Sequence, residues 1–128
     1  MTTQRRISIV AGSVRRTATL NDSPTADAIW QALPIDGRAS TWGDEIYFSI
    51  VVDRDAEPGS SPVVDVGTLA YWPPGNAFCI FWGPTPASRG SEIRAASAVN
   101  IFGQVDDDPK GFGAVRSGAA MRIERVTD

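Results

Sequence analysis

The stretch YWPPGNAFCIFWGPTPAS, Tyr71 to Ser88, sets six consecutive apolar residues, Ala77 to Trp82, between two proline-containing segments. A half-buried strand alternates apolar with polar side chains, because successive Cβ atoms point to opposite faces. Here Phe78, Ile80 and Trp82 interleave with Ala77, Cys79 and Phe81, so neither face reads as solvated. In so small a chain one face looks into the main core, and the other has to meet a second layer, a partner or an apolar groove. Thr68 to Trp72 reads as the preceding strand, with Pro73-Pro74-Gly75-Asn76 as a rigid hairpin turn between the two. After Gly83, Pro84-Thr85-Pro86 is predicted to run extended.

Upstream, Ile7 to Val10 and Thr17 to Leu20 form an opening hairpin around Gly12-Ser13. Asn21-Asp22-Ser23-Pro24 is a helix start, with Ser23 or Asp22 as cap and Pro24 at the first helical position. Ala26, Ile29, Trp30 and Leu33 then repeat with helical spacing as far as Pro34, and Trp30 reads as core. Arg38 to Trp42 and Glu45 to Val52 are strands joined through Gly43-Asp44. In the second, Ile46, Phe48, Ile50 and Val52 face the core, while Glu45, Tyr47, Ser49 and Val51 share the outer face. Asp53 to Pro62 is predicted to be a surface loop.

Downstream, Ser91 is placed to cap a short helical turn through Ala96. Val99 to Val105 is a strand, Asp106 to Pro109 a turn, and Ala119 to Val126 a closing strand. Many strands with one good helix predict a mainly β fold, a single domain over residues 1–128 built as a closed or nearly closed barrel capped by helix.

Composition removes whole classes of chemistry. The 128 residues include no histidine and one cysteine, so imidazole catalysis, histidine metal sites, internal disulfides and cysteine zinc clusters are all excluded. The sole lysine, Lys110, sits between Pro109 and Gly111 in a predicted turn. A net charge of −3 with scattered basic residues argues against nucleic acid and anionic membranes as partners. No segment approaches the roughly 20 apolar residues that span a bilayer, and the run Ile7 to Ala11 is too short for a signal-peptide core. A cytoplasmic location is the resulting expectation. With no phosphate-cradling glycine motif, no nucleotide cofactor is predicted.

A few residues invite chemistry. Asp44 and Glu45, near Trp42 and Tyr47, are carboxyls whose pKa desolvation can raise towards neutrality, but adjacent strand residues point to opposite faces and form no acid pair unless the turn bends, so turn and strand-entry roles are the expectation for both. Asp106 to Asp108 lacks the ligand spacing of a calcium loop and reads as a solvated turn. Asn21-Asp22-Ser23 matches a glycosylation acceptor formally, and is better used as a cap. Cys79, within an apolar strand, reads as a packed thiol, and no metal site is predicted.

Four segments, LNDSPTADAIWQALP (20–34), WGDEIYF (42–48), GTLAYWPPGNAFCIFWGPTPAS (67–88) and VNIFGQV (99–105), together resemble a small microbial branch of cyclophilin-like domain proteins. The resemblance implies an eight-stranded β-barrel closed by helices, with its functional groove on the outside of one sheet. In the prolyl isomerases of that fold, a Ser-Gln-Phe-Phe-Ile strand supplies a pocket phenylalanine. Phe78-Cys79-Ile80 looks like its counterpart, which places Cys79 where the pocket aromatic stands and Phe81 on the same face. The Phe-His-Arg and Phe-Met-x-Gln-Gly-Gly segments that supply the isomerases' catalytic arginine and groove glutamine have no match, and the groove histidine is Val99 here.

The resemblance therefore implies a groove without its usual catalytic residues. Its candidate lining is Glu45, Tyr47, Trp72, Cys79, Phe81, Pro84, Thr85 and Arg94, and its expected occupant is a proline-containing peptide or a small molecule. Prolyl isomerisation needs no proton transfer, only an apolar site and a donor near the proline nitrogen, for which Arg38, Arg89 and Arg94 are the candidates. A contact surface between copies of the chain is the third reading of the same aromatic strand.

Overall fold

The computed structural model describes residues 4–126. Ten strands and one α-helix occur among them: β1 (Arg6–Ala11), β2 (Val14–Leu20), α1 (Pro24–Ala32), β3 (Ile35–Arg38), β4 (Ser40–Thr41), β5 (Glu45–Ser49), β6 (Ser61–Val64), β7 (Thr68–Trp72), β8 (Ala77–Phe81), β9 (Ile93–Val105) and β10 (Ala120–Arg125). Short 3-10 turns at Pro73–Gly75 and Pro109–Ala114 complete it. No described helix is long and apolar enough to cross a membrane.

The strands form one antiparallel sheet in the order β3-β10-β1-β2-β9-β7-β8-β5-β4, with β6 paired to β9 beside this path. The expected closed eight-stranded barrel is corrected on two points. There are ten strands, and no ladder among the described residues joins the two ends of the path, β3 and β4. Those ends are consecutive in the chain, separated by Ala39 alone. Gly37 of β3 lies so close to β5 that a Cβ there would meet the Phe48 ring at 2.5 Å, so the two ends of the sheet pack together through side chains.

Helix α1 starts as its residues dictate. The Ser23 hydroxyl accepts the Ala26 amide at 3.1 Å, Pro24 takes the first turn, and Ala26 and Ile29 are buried against the sheet. Trp30, expected as core, is only partly buried: it packs against the margin of the main core, and its indole ring is covered there by Arg125, whose guanidinium lies 4.6 Å from the ring centroid.

Two apolar clusters flank β8. Phe78 and Ile80 point into the main core, where Phe78 stacks on Phe48 (5.3 Å between centroids) and meets Phe102 edge-on (5.1 Å). Ala77, Cys79 and Phe81 point the other way, into a second cluster with Val64, Ala70, Ile93, Ala95 and Val99. That second layer is made by β6 and the first half of β9, which continues past β7 to lie over the outer face of the sheet.

Two sequence expectations fail in this layer, and one irregularity carried no sequence signal. Residues 91–96 do not form a helical turn, because Ile93 and Ala95 alternate onto the outer cluster while β6 supplies a ladder partner. Ser61 and Pro62, expected as the end of the surface loop, belong to the strand β6 (Ser61–Val64); the register shifts between Ser61 and Val63, so the missing N–H of Pro62 falls at an irregularity on an edge strand. Finally, β9 carries one extra residue between Ile101 and Gly103 opposite Leu69 and Ala70. This bulge changes the side-chain parity and lets Phe102 and Val105, three residues apart, both enter the main core.

The charged loop after β5 is tied down by polar groups of the core. Buried Asn100 accepts the Glu57 amide at 2.9 Å and donates to Asp55 O at 2.9 Å and Thr25 Oγ1 at 3.2 Å. The Tyr71 hydroxyl donates to Val52 O at 2.7 Å. Asp106, weighed above as part of a turn, accepts from Thr19 Oγ1 at 2.6 Å and Arg6 at 3.1 Å, which keeps its carboxyl below the usual range.

Phe81 is wholly buried in the outer cluster. Phe81→Ala is therefore expected to remove ~3–5 kcal/mol of unfolding free energy, read by denaturant titration; a loss under ~1 kcal/mol would mean that the outer layer does not pack on β8 as described.

Candidate functional site

The outer layer is not filled everywhere. Between β5, β7, β8 and the overlying β9 lies a cavity of about 210 Å³, lined by Trp42, Glu45, Tyr47, Trp72, Cys79, Ala95, Ala96 and Val99. It exists because the residues facing it across the two layers are small. Cys79 below and Ala95 and Ala96 above leave a space that larger side chains would close.

Each wall follows from local structure. Glu45 opens β5 directly after a tight reversal in which the Trp42 amide donates to Glu45 O at 3.0 Å. That reversal requires Gly43, which has φ +60° and whose Cβ, if present, would lie 2.8 Å from Thr85 Cα. Tyr47 follows on the same face of β5, directly opposite Cys79, and Ala70 stands opposite Cys79 on the other side. Trp72 ends β7; its indole N–H donates to Ser97 Oγ at 2.7 Å, and its ring lies over Gly75, where a Cβ would approach to 2.8 Å.

The electrostatics are dominated by one group. Glu45 is 6 % exposed, and none of the ion pairs among the described residues includes it. Desolvation pushes its carboxyl from 4.5 up to about 7, opposed only by a hydrogen bond with the Cys79 thiol. The thiol is driven well above its ordinary range, first by burial and then by the neighbouring carboxyl, so it stays protonated and is no nucleophile. Whatever charge the cavity carries is that of Glu45.

Of the eight residues expected from the sequence to line a groove, the structure brings together Glu45, Tyr47, Trp72 and Cys79. The other four lie elsewhere. Phe81 shares the face of Cys79 but is sealed beneath the outer cluster. Pro84 is exposed outside the cavity. Thr85 is buried and spent on the chain itself, accepting the Ala87 amide at 3.2 Å and donating to Arg94 O. Arg94 points away from Ala95 and pairs with Glu92 at 2.6 Å. Arg38 donates to Gly118 O and Arg89 is exposed, so no candidate arginine lines the cavity. The strand β8 itself presents no open aromatic face for a second copy to cover.

Trp42, Ala95, Ala96 and Val99 complete the walls. Trp42 was visible only as a neighbour of Glu45, and Val99 as the residue in place of a groove histidine. The two alanines were hidden by the helical reading of residues 91–96.

A buried acid whose folded pKa exceeds its unfolded value stabilises the fold less as it ionises. Stability is fully present below about pH 4.5 and is lost as pH rises towards about 7. Glu45→Gln is thus expected to be more stable than the parent above pH ~8, by on the order of 3 kcal/mol, and nearly equal to it near pH ~4. Unfolding curves at the two pH values test this; an equal effect at both would show that the carboxyl is not desolvated.

The comparisons with known proteins agree with this architecture. A family model described as cyclophilin-like matches residues 5–124. The solution structure of a hypothetical protein from Archaeoglobus fulgidus superposes with a TM-score of 0.82 at 40% identity, over 96% of this chain and 95% of that one. No curated protein matches the chain. The match over nearly the whole chain, and a relative of this identity sharing its fold, show that the chain belongs to the cyclophilin-like family.

Proposed function

We propose that the protein is a binding module that seats a small, mainly apolar group in the cavity between β5, β7, β8 and β9. The observation that carries this reading is a partly open space of about 210 Å³ walled by aromatic and small apolar side chains around a single buried carboxyl. Ligand sites are concave and mostly apolar, with a few placed polar groups that set orientation. A space of this size suits a small molecule or the tip of one side chain, such as a proline ring. It does not suit a long stretch of peptide.

Binding without catalysis is favoured over prolyl isomerisation because the cavity lacks a cationic donor. Its lining contains no arginine, and the Trp72 N–H is engaged by Ser97. An isomerase site requires a donor at the proline nitrogen to stabilise the twisted amide.

Ala96 lines the cavity and is exposed, so Ala96→Phe is expected to block the cavity while changing stability by less than ~0.5 kcal/mol. Cyclohexanol at millimolar concentration is expected to shift the backbone amide resonances of Glu45, Tyr47, Cys79 and Ala95 in the parent but not in Ala96→Phe. Shifts that survive the substitution would place the site elsewhere. A protease-coupled proline-peptide assay is expected to show no rate above the uncatalysed one; a rate abolished by Ala96→Phe would favour isomerisation instead.

A further inference from the structure

We infer that the ligand of this cavity carries an alkylated ammonium group, held by the rings of Trp42, Tyr47 and Trp72 with the carboxylate of Glu45 as its counter-ion. The inference rests on the binding reading above and names the ligand's chemical class. Three of the eight lining residues are aromatic, and two of those are tryptophans, the side chain whose ring face attracts cations most strongly. The fourth large side chain is an acid.

Charge complementarity selects the cation. A carboxylate withdrawn from water is costly unless it is paired. Glu45 is more than nine-tenths buried, has no ion-pair partner among the described residues, and shares the cavity with no arginine or lysine. A counter-charge for its ionised form therefore has to come from outside the described residues. An anionic ligand would be repelled, and a neutral one would leave the acid as it is.

The walls also select the kind of cation. A metal ion needs several oxygen ligands, and one carboxyl is far short of that. A primary ammonium or a guanidinium brings several N–H donors, which need acceptors that Val99, Ala95, Ala96 and two indoles do not offer. An ammonium substituted with methyl groups has few or no N–H groups and spreads its charge over an apolar surface. It matches both the aromatic faces and the apolar remainder of the lining.

The titration of the site fits this partner. Among the described residues, the other ionisable groups lining the cavity are the Cys79 thiol on β8, held protonated, and the Tyr47 phenol on β5; β7 and β9 bring none. With Glu45 raised to about 7, a bound cation would draw its proton off. Affinity for the cation should then rise with pH up to and through neutrality, while affinity for an uncharged analogue should not.

The test compares choline with its neutral carbon isostere, in which a tert-butyl group replaces the trimethylammonium, by the amide shifts of the cavity residues. Choline is expected to bind at least about tenfold more tightly at pH ~8, to lose that preference at pH ~5.5, and to lose it at both in Glu45→Gln, which keeps the isostere's affinity. Equal binding of the two probes, or choline binding unaffected by Glu45→Gln, would overturn the inference. If cyclohexanol and the isostere bind and choline does not, the cation is wrong and the binding site stands; if none of the three binds, both readings fall. A short peptide carrying trimethyllysine separates the sources of the group. Tighter binding than choline assigns it to a modified protein and weaker binding to a free small molecule, and either supports the ammonium.

Discussion

The double-sided burial of β8 is the constraint on which the rest of the molecule depends. Five consecutive buried residues cannot be accommodated by a single core. Phe78 is locked from one side by Phe48 and Phe102, which ties together β5, β8 and β9 through the main core. Ala77, Cys79 and Phe81 then demand a cover on the other side, and the chain supplies it from its own length. β9 is long enough, at 13 residues, to pair with β2 and β7 at one end and with β6 over the outer face at the other. The bulge at Phe102 allows one strand to serve both cores.

The cavity is a consequence of that cover being incomplete. Where Phe81, Ile93 and Val64 meet, the outer layer is packed; where Cys79 faces Ala95 and Ala96, it is not. Into this gap the Trp42 to Glu45 reversal delivers a carboxyl with no ion-pair partner among the described residues. The molecule thereby keeps a group that ionisation makes destabilising at neutral pH, at the one place where the layers part. Polar groups elsewhere in the interior are treated differently: Asn100, Thr25 and Tyr71 are each satisfied by the chain, and they hold the loop after β5 against the sheet. A desolvated carboxyl lining a cavity is the pattern expected of a functional group.

Much of the fold was legible in local pattern. The first hairpin, the capped helix at Ser23-Pro24, the alternation of Ile46, Phe48 and Ile50, and the two-faced strand at Ala77 to Phe81 are each written in a few neighbouring residues. Half of the expected lining was legible as well: Glu45 and Tyr47 by their place on the outer face of β5, Trp72 and Cys79 by the hairpin they share. Residues 91–96 misled because Ser91 looks like a cap and the alanines favour helix. That preference is worth only tenths of a kcal/mol per residue, and the ladder with β6 together with burial of Ile93 and Ala95 outweighs it. Phe81 misled because facing the same way as Cys79 does not say whether a side chain ends in a cavity or beneath a neighbour.

By itself the sequence determined that this is a mainly β chain with one capped helix, that β8 needs cover on both faces, and that no histidine chemistry or internal disulfide is available to it. These are properties of composition and of residues close together in the chain, where period and capping act directly. Only the tertiary structure decided that the cover is β9 and not a partner, that the sheet ends at β3 and β4 without a joining ladder, and that Trp42, Glu45, Trp72 and Ala96 share one cavity. Those facts depend on contacts between segments far apart in the chain, and on side-chain volumes left unfilled between two layers. A space has no local signature, because it is made by what several distant residues fail to occupy.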